Sequence, residues 1–276
     1  MRHSRFAVAS LLAVALASPG CALEGDDLAS TESLQQELHS WGRYHWARTS
    51  NPFTLKLIDS VVDSAATDAW NGVLATAVTD WSVSEVLDLA VEAGDTSRAT
   101  RKKCSAVTGK VRVCNEKYGY NGWVGLASIR ASGDHITRAT VKLNDSYFDT
   151  PSYNTQLQRN RVMCQEVGHA FGLDHQDEEQ ANYNLGTCMD YTGHPAGGYL
   201  DAAEPANEHP NAHDYEQLAI IYAHLDTTTT IASSAGGASA DAGDDDFGTP
   251  VHGRSDLFVK DLGGGNRRFT WVEWAE

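Results

Sequence analysis

The sequence predicts an α+β domain that is exported and cross-linked by disulfides. Three observations carry the prediction: several segments of alternating polarity, two stretches with apolar residues at helical spacing, and an even set of cysteines behind an export-type leader. The chain has 276 residues, 41% hydrophobic and 21% charged, enough for one sizeable core with terminal extensions. Its formal net charge of −16 would repel nucleic acid, so that class of partner is excluded.

Residues 1–21, MRHSRFAVASLLAVALASPGC, place basic residues ahead of a short apolar run and then small residues, the layout of a signal peptide. The run is too short for a transmembrane segment. Cys21 follows a weak lipobox-like SPG, which leaves lipid attachment at Cys21 as the alternative to free secretion. Residues 22–40 are polar and acidic and read as a leader.

The folded part is expected over 41–226. PFTLKLIDSV (52–61) alternates as a strand, AWNGVLATAVTDWS (69–82) has helical spacing, and VLDLAVEAG (86–94) is again a strand. KVRVCNEKYG, GWVGLASIRAS and HITRATVKLND are three more strands, the last two joined by a Gly-Asp turn. NAHDYEQLAIIYAHL (211–225) carries a helical stripe of Leu218, Ile221, Tyr222 and Leu225. Residues 227–250 are small and acidic, the composition of a flexible linker. The end, 251–276, alternates around a glycine turn and predicts a β-hairpin, which is marginal alone and must dock on the domain or on a partner.

Four cysteines remain after Cys21, and three pairings are formally open. Spacing favours Cys104 with Cys114 and Cys164 with Cys188; buried free thiols are the alternative.

The chemistry concentrates in residues 165–175, QEVGHAFGLDH. A helix puts residues four apart on one face, so Gln165 and His169 point the same way, with Glu166 beside them. Gly172 permits the turn that ends the helix and returns His175 to the same place. The spacing supplies two imidazoles, an amide oxygen, a carboxylate base and a turn.

This stretch resembles the metzincin zinc metallopeptidases, and most of all their matrixin branch, whose HExGHxxGLxH pattern is met at Glu166, Gly168, His169, Gly172, Leu173 and His175. Gln165 departs from it, standing where the first ligand histidine would be. TCMDY (187–191) resembles the methionine turn beneath the metal, with Met189 as its methionine, and Tyr191 matches the Met-x-Tyr tyrosine of the astacin and serralysin branches.

The resemblance implies a twisted mixed sheet of about five strands, a zinc-ligand helix, a methionine turn and a C-terminal helix with Asp214 near its start. It implies zinc held by His169 and His175, with the place of the missing histidine filled either by Gln165 through its oxygen or by Tyr191, Glu166 as general base for a metal-activated water, and Tyr191, where it is not a ligand, at the oxyanion. It places residues 125–129 on an edge strand whose free backbone pairs with a peptide or protein substrate, and it makes a Cys164–Cys188 bridge a staple between ligand helix and methionine turn. An inner strand is the other reading of 125–129. Because glutamine offers zinc only a neutral oxygen, the alternative function is a non-catalytic chain that holds peptide in the same cleft. His194 is a minor candidate substitute ligand; His209 and His213 read as loop histidines, and Tyr215 and Tyr222 as core. Calcium is admitted by the resemblance, although no oxygen-ligand loop of convincing spacing is visible, and nothing in the leader resembles a cysteine switch.

Overall fold

Alternation in Phe53–Ser60 buries Phe53, Leu55 and Leu57 on one face, and this strand (β2) starts a mixed sheet. The structure, a computed structural model, describes residues 43–63, 70–232 and 246–275. The signal-peptide, Cys21 and leader predictions lie outside the described residues. In chain order the elements are β1 (His45–Trp46), β2, α1 (Trp70–Trp81), β3 (Leu87–Ala93), α2 (Arg98–Lys103), β4 (Val111–Glu116), β5 (Trp123–Ser132) and β6 (His135–Asn144). They continue with α3 (Asp145–Phe148), α4 (Gln156–His169), α5 (Ala212–Ile221), β7 (Thr249–Pro250), β8 (Leu257–Gly263) and β9 (Asn266–Trp274).

The fold is α+β, dominated by a sheet ordered β3-β2-β4-β6-β5-β9-β8-β7, with β1 added against β6. Strands β3, β2, β4 and β6 are parallel, whereas β5, β9, β8 and β7 continue the sheet antiparallel. Helices α1 and α4 pack together, and the Trp81 indole donates to the Cys164 carbonyl at 3.1 Å. The large buried side chains Trp46, Trp70, Trp81 and Trp271 anchor the core. Among the described residues no helix is long and apolar enough to cross a membrane.

Four expectations are corrected. Among the described residues the sheet has nine strands rather than about five, because β9, β8 and β7 of the C-terminal segment extend it from β5 and β1 adds against β6. Strand β5 is consequently an inner strand, and the free edge expected at 125–129 is taken by β9, with Gly125 opposite Glu273 and Ala127 opposite Trp271. The linker is ordered at both ends: Thr230 donates to the Ala47 carbonyl, Ala232 to that of Gly109, and Thr249–Pro250 pairs with β8. Finally, α5 stops at Ile221, and Leu225 lies past its end, exposed.

Both disulfides form as spacing favoured, Cys104 with Cys114 and Cys164 with Cys188. The first joins the end of α2 to β4. The second ties α4 to the loop that carries Met189.

Candidate functional site

Helix α4 begins with Thr155 as its cap, whose hydroxyl accepts from the Gln158 amide, and it is buried almost throughout its second half, including Gln165, Glu166 and His169. Its end depends on Gly172. That residue has φ of +104°, and a Cβ there would lie 2.4 Å from the Tyr44 carbonyl oxygen, so only glycine fits the turn. The chain then doubles back and brings His175 against His169.

The two imidazoles meet through their Nε2 atoms, 3.0 Å apart. His169 Nδ1 lies 2.9 Å from the Leu173 carbonyl, which can only accept, so this nitrogen carries the proton. His175 Nδ1 lies 3.0 Å from Asp256 Oδ2. Arg254 is also near that nitrogen, at 3.3 Å, but its guanidinium has better acceptors in Asp256 and Asp174, both reached at 2.6 Å. In the neutral rings both Nε2 atoms therefore present lone pairs to one another, an arrangement that a cation between them relieves. Burial and the neighbouring His175 push the His169 pKa well below its ordinary value, which disfavours a proton as that cation.

Of the other residues expected from sequence, Tyr191 packs on the pair, and Gln165, Glu166 and Met189 are buried on or against α4. Gln165 is fully buried, and neither its amide oxygen nor its amide nitrogen has a hydrogen-bond partner. Glu166 is buried too, with Oε2 unpartnered. Its Oε1 occupies the space beside Gly125, where a Cβ would come within 2.4 Å. Burial first, and then the Glu273 carboxylate, raise the Glu166 pKa well above its usual value, opposed by Arg161. Met189 lies beneath the helix, its sulfur 2.6 Å from where a Gly168 Cβ would stand. The loop that holds it is fixed by Thr187, whose hydroxyl accepts from the Met189 amide and donates to Asp214, the N3 residue of the capping box of α5. The Tyr191 ring packs on His175 with centroids 4.2 Å apart, and its hydroxyl donates to the Val272 carbonyl at 3.4 Å.

His194 goes elsewhere. Its ring stacks on Tyr199 at 3.5 Å, and His209 pairs with Asp80 at 2.7 Å. Tyr222 is buried in the core, as expected.

Sequence reasoning missed what the C-terminal segment contributes. Trp271 stacks on His169 and donates its indole proton to Asp174 at 3.0 Å, while Glu273 pairs with the buried Arg161 at 2.6 Å. Arg254 sits among Asp174, Glu178 and Asp256. Although burial pushes the Asp256 pKa up, its bond to His175 and the Arg254 guanidinium hold it well below the usual range. The His175, Glu178 and Asp256 group thus already has a cation in Arg254. The hairpin also walls a cleft of about 480 Å³ beside Tyr191, lined by Glu178, Glu179, Arg254, Asp256 and Glu273. The alternating TWVEW pattern in β9 marked a strand but not its position over the histidines.

No family model and no curated protein matches the chain.

Proposed function

We propose that the chain is an exported zinc metalloendopeptidase of metzincin type, matrixin-like in its ligand helix, and that the form described is closed by its own C-terminal hairpin. The observation that carries this reading is the His169–His175 pair, whose Nε2 atoms face each other while both Nδ1 atoms are committed to acceptors. That is the orientation in which outer hydrogen bonds fix a metal-binding histidine. The residues fit zinc in a second respect, since the buried Gln165 carbonyl oxygen has no other partner and can serve as a third donor. A zinc ion bound there would polarise the scissile carbonyl and lower the pKa of water.

The chain's own groups supply the rest. Glu166 is the carboxylate beside the pair, able to take a proton from water and deliver it to the leaving amine. Burial is the larger cause of its raised pKa and the Glu273 carboxylate on the hairpin the next, so withdrawing the hairpin would remove part of the shift. Tyr191 donates to the Val272 carbonyl in the closed form. With the hairpin withdrawn, the same hydroxyl is free to donate to a substrate carbonyl as charge develops on its oxygen. An extended substrate would then pair with β5 where β9 now lies, by strand addition.

A binding-only reading has one observation in its favour, namely that Gln165 replaces an imidazole. The two readings separate when zinc content and hydrolysis of a generic unfolded protein are measured together on a His224→Ala chain shortened to end at Ala232, in which the hairpin no longer covers the pair. Zinc with chelator-sensitive cleavage supports the peptidase, zinc without cleavage supports the binding chain, and absence of both removes the proposal.

A further inference from the structure

On the other side of the turn that follows His169, against which Tyr44 and Trp46 pack, the first strand and the segment after the last helix converge on a second group of imidazoles. His45 lies in β1, which runs parallel to β6 with His45 opposite His135. His224 and Asp226 follow α5, so a short His-x-Asp unit at the C-terminal edge of the domain meets the chain near its N-terminal edge. Three ligand atoms form a small triangle: His224 Nε2 is 3.2 Å from His45 Nε2, His45 Nε2 is 3.3 Å from Asp226 Oδ1, and His224 Nε2 is 3.7 Å from the same oxygen. Two donors about 2.0–2.1 Å from a tetrahedral zinc ion stand about 3.3–3.4 Å apart, so the triangle has the edge lengths of such a site.

The surroundings orient these donors. His45 Nδ1 donates to the Arg43 carbonyl at 2.7 Å, which leaves Nε2 as the lone-pair nitrogen. The other carboxylate oxygen of Asp226 is held at 3.1 Å by both the backbone amide and the guanidinium of Arg48, so Oδ1 is the oxygen turned to the imidazoles. His135 Nε2 reaches that oxygen at 3.1 Å and stands as a third imidazole nitrogen at the rim. His45 is buried and the Asp226 side chain nearly so, whereas the side chains of His224 and His135 are 56% and 39% exposed, so an ion has a route from solvent. A nitrogen-rich set with one carboxylate suits zinc better than calcium or magnesium.

We propose that His45, His224 and Asp226 form a second zinc site, which clamps the first strand of the domain to the segment that leaves α5. The proposal does not depend on the peptidase reading, since it shares no residue with the His169–His175 pair. Its test is equilibrium dialysis of the full chain against zinc, comparing wild type with His224→Ala, a substitution at an exposed side chain that leaves the core untouched. The variant should retain one zinc equivalent fewer per chain than wild type, whatever the wild-type total. Equal stoichiometry and equal affinity in the two chains would overturn the site. A second readout uses heat: zinc should raise the unfolding midpoint of the His169→Ala chain, and this shift should vanish when His224→Ala is added. An unchanged shift in the double variant would also overturn it.

Discussion

Trp271 lies flat on His169, ring centroids 5.0 Å apart with 10° between the planes, and so a residue of the C-terminal hairpin covers one of the two facing imidazoles. The contact is one of a set. Glu273 engages Arg161, the Val272 carbonyl accepts from the Tyr191 hydroxyl, and Asp256 holds His175, so His169, Tyr191 and His175 each touch the C-terminal segment.

Withdrawing that stretch should therefore switch the protein on. A chain ending at Ala232 should cleave an unfolded protein substrate at least tenfold faster than the full chain, and an added peptide spanning 246–275 should inhibit it. Circular dichroism must show that the shortened chain remains folded, because losing Trp271, Phe269 and Leu257 removes buried apolar surface. Folded shortened chain with activity no greater than the full chain would contradict the closed-form reading.

Glu166→Ala in the opened chain should lower hydrolysis on the order of a hundredfold to ten-thousandfold while zinc content stays the same, because the carboxylate is a base and not a ligand. Steady-state rates and metal analysis of one preparation check both halves. Undiminished cleavage would remove Glu166 from the mechanism.

Reduction of the Cys164–Cys188 bridge should weaken zinc retention at the His169–His175 pair, since it unties α4 from the Met189 loop; the lost cross-link costs about 2–4 kcal/mol of stability. Cys104→Ser with Cys114→Ser should lower stability and leave zinc retention alone, because that bridge joins α2 to β4 away from the histidines. Dialysis of the two preparations against a chelator distinguishes them, and equal zinc loss would contradict the assignment of separate roles.

Asp214 provides a pH test whose sign can be worked out. Burial raises its pKa to about 6 in the folded chain, against 3.8 as the ordinary value. The folded state thus holds this proton where the unfolded state has lost it, and stability contributed by the group falls as pH rises from about 4 to about 6. Asp214→Asn keeps an acceptor for Thr187 and cannot titrate, so the variant should lose less stability than wild type over that window. Denaturant unfolding at pH 4 and pH 7 measures it, and parallel behaviour of the two chains would contradict the shift.

Much of the sheet is legible: β2, β3, β4, β5 and β6 fall within the segments marked as strands, and α1 within one residue of its helical window, although β4, β5 and β6 are buried in continuous runs rather than alternately. Helix α2 is not, since RATRKK has no apolar face and owes its start to the Ser97 cap. Gly172 and the facing histidines follow from local spacing. What spacing cannot encode is partnership at long range. Strand β9 is recognisable as a strand, yet nothing local in TWVEW says that it pairs with β5 rather than with solvent or another chain. His45 and His224 are equally invisible as a pair until β1 and the end of α5 are side by side.

The account rests most heavily on residues 165, 169 and 175 facing one metal ion. Competitive zinc titration in the His224→Ala background, which leaves that site alone, tests it directly. The Gln165 chain should bind one equivalent, and Gln165→His should bind it at least tenfold more tightly, because imidazole nitrogen replaces a neutral amide oxygen on the same helical face as His169. No binding by the Gln165 chain, or equal affinities in the two, would show that these residues do not form a zinc site.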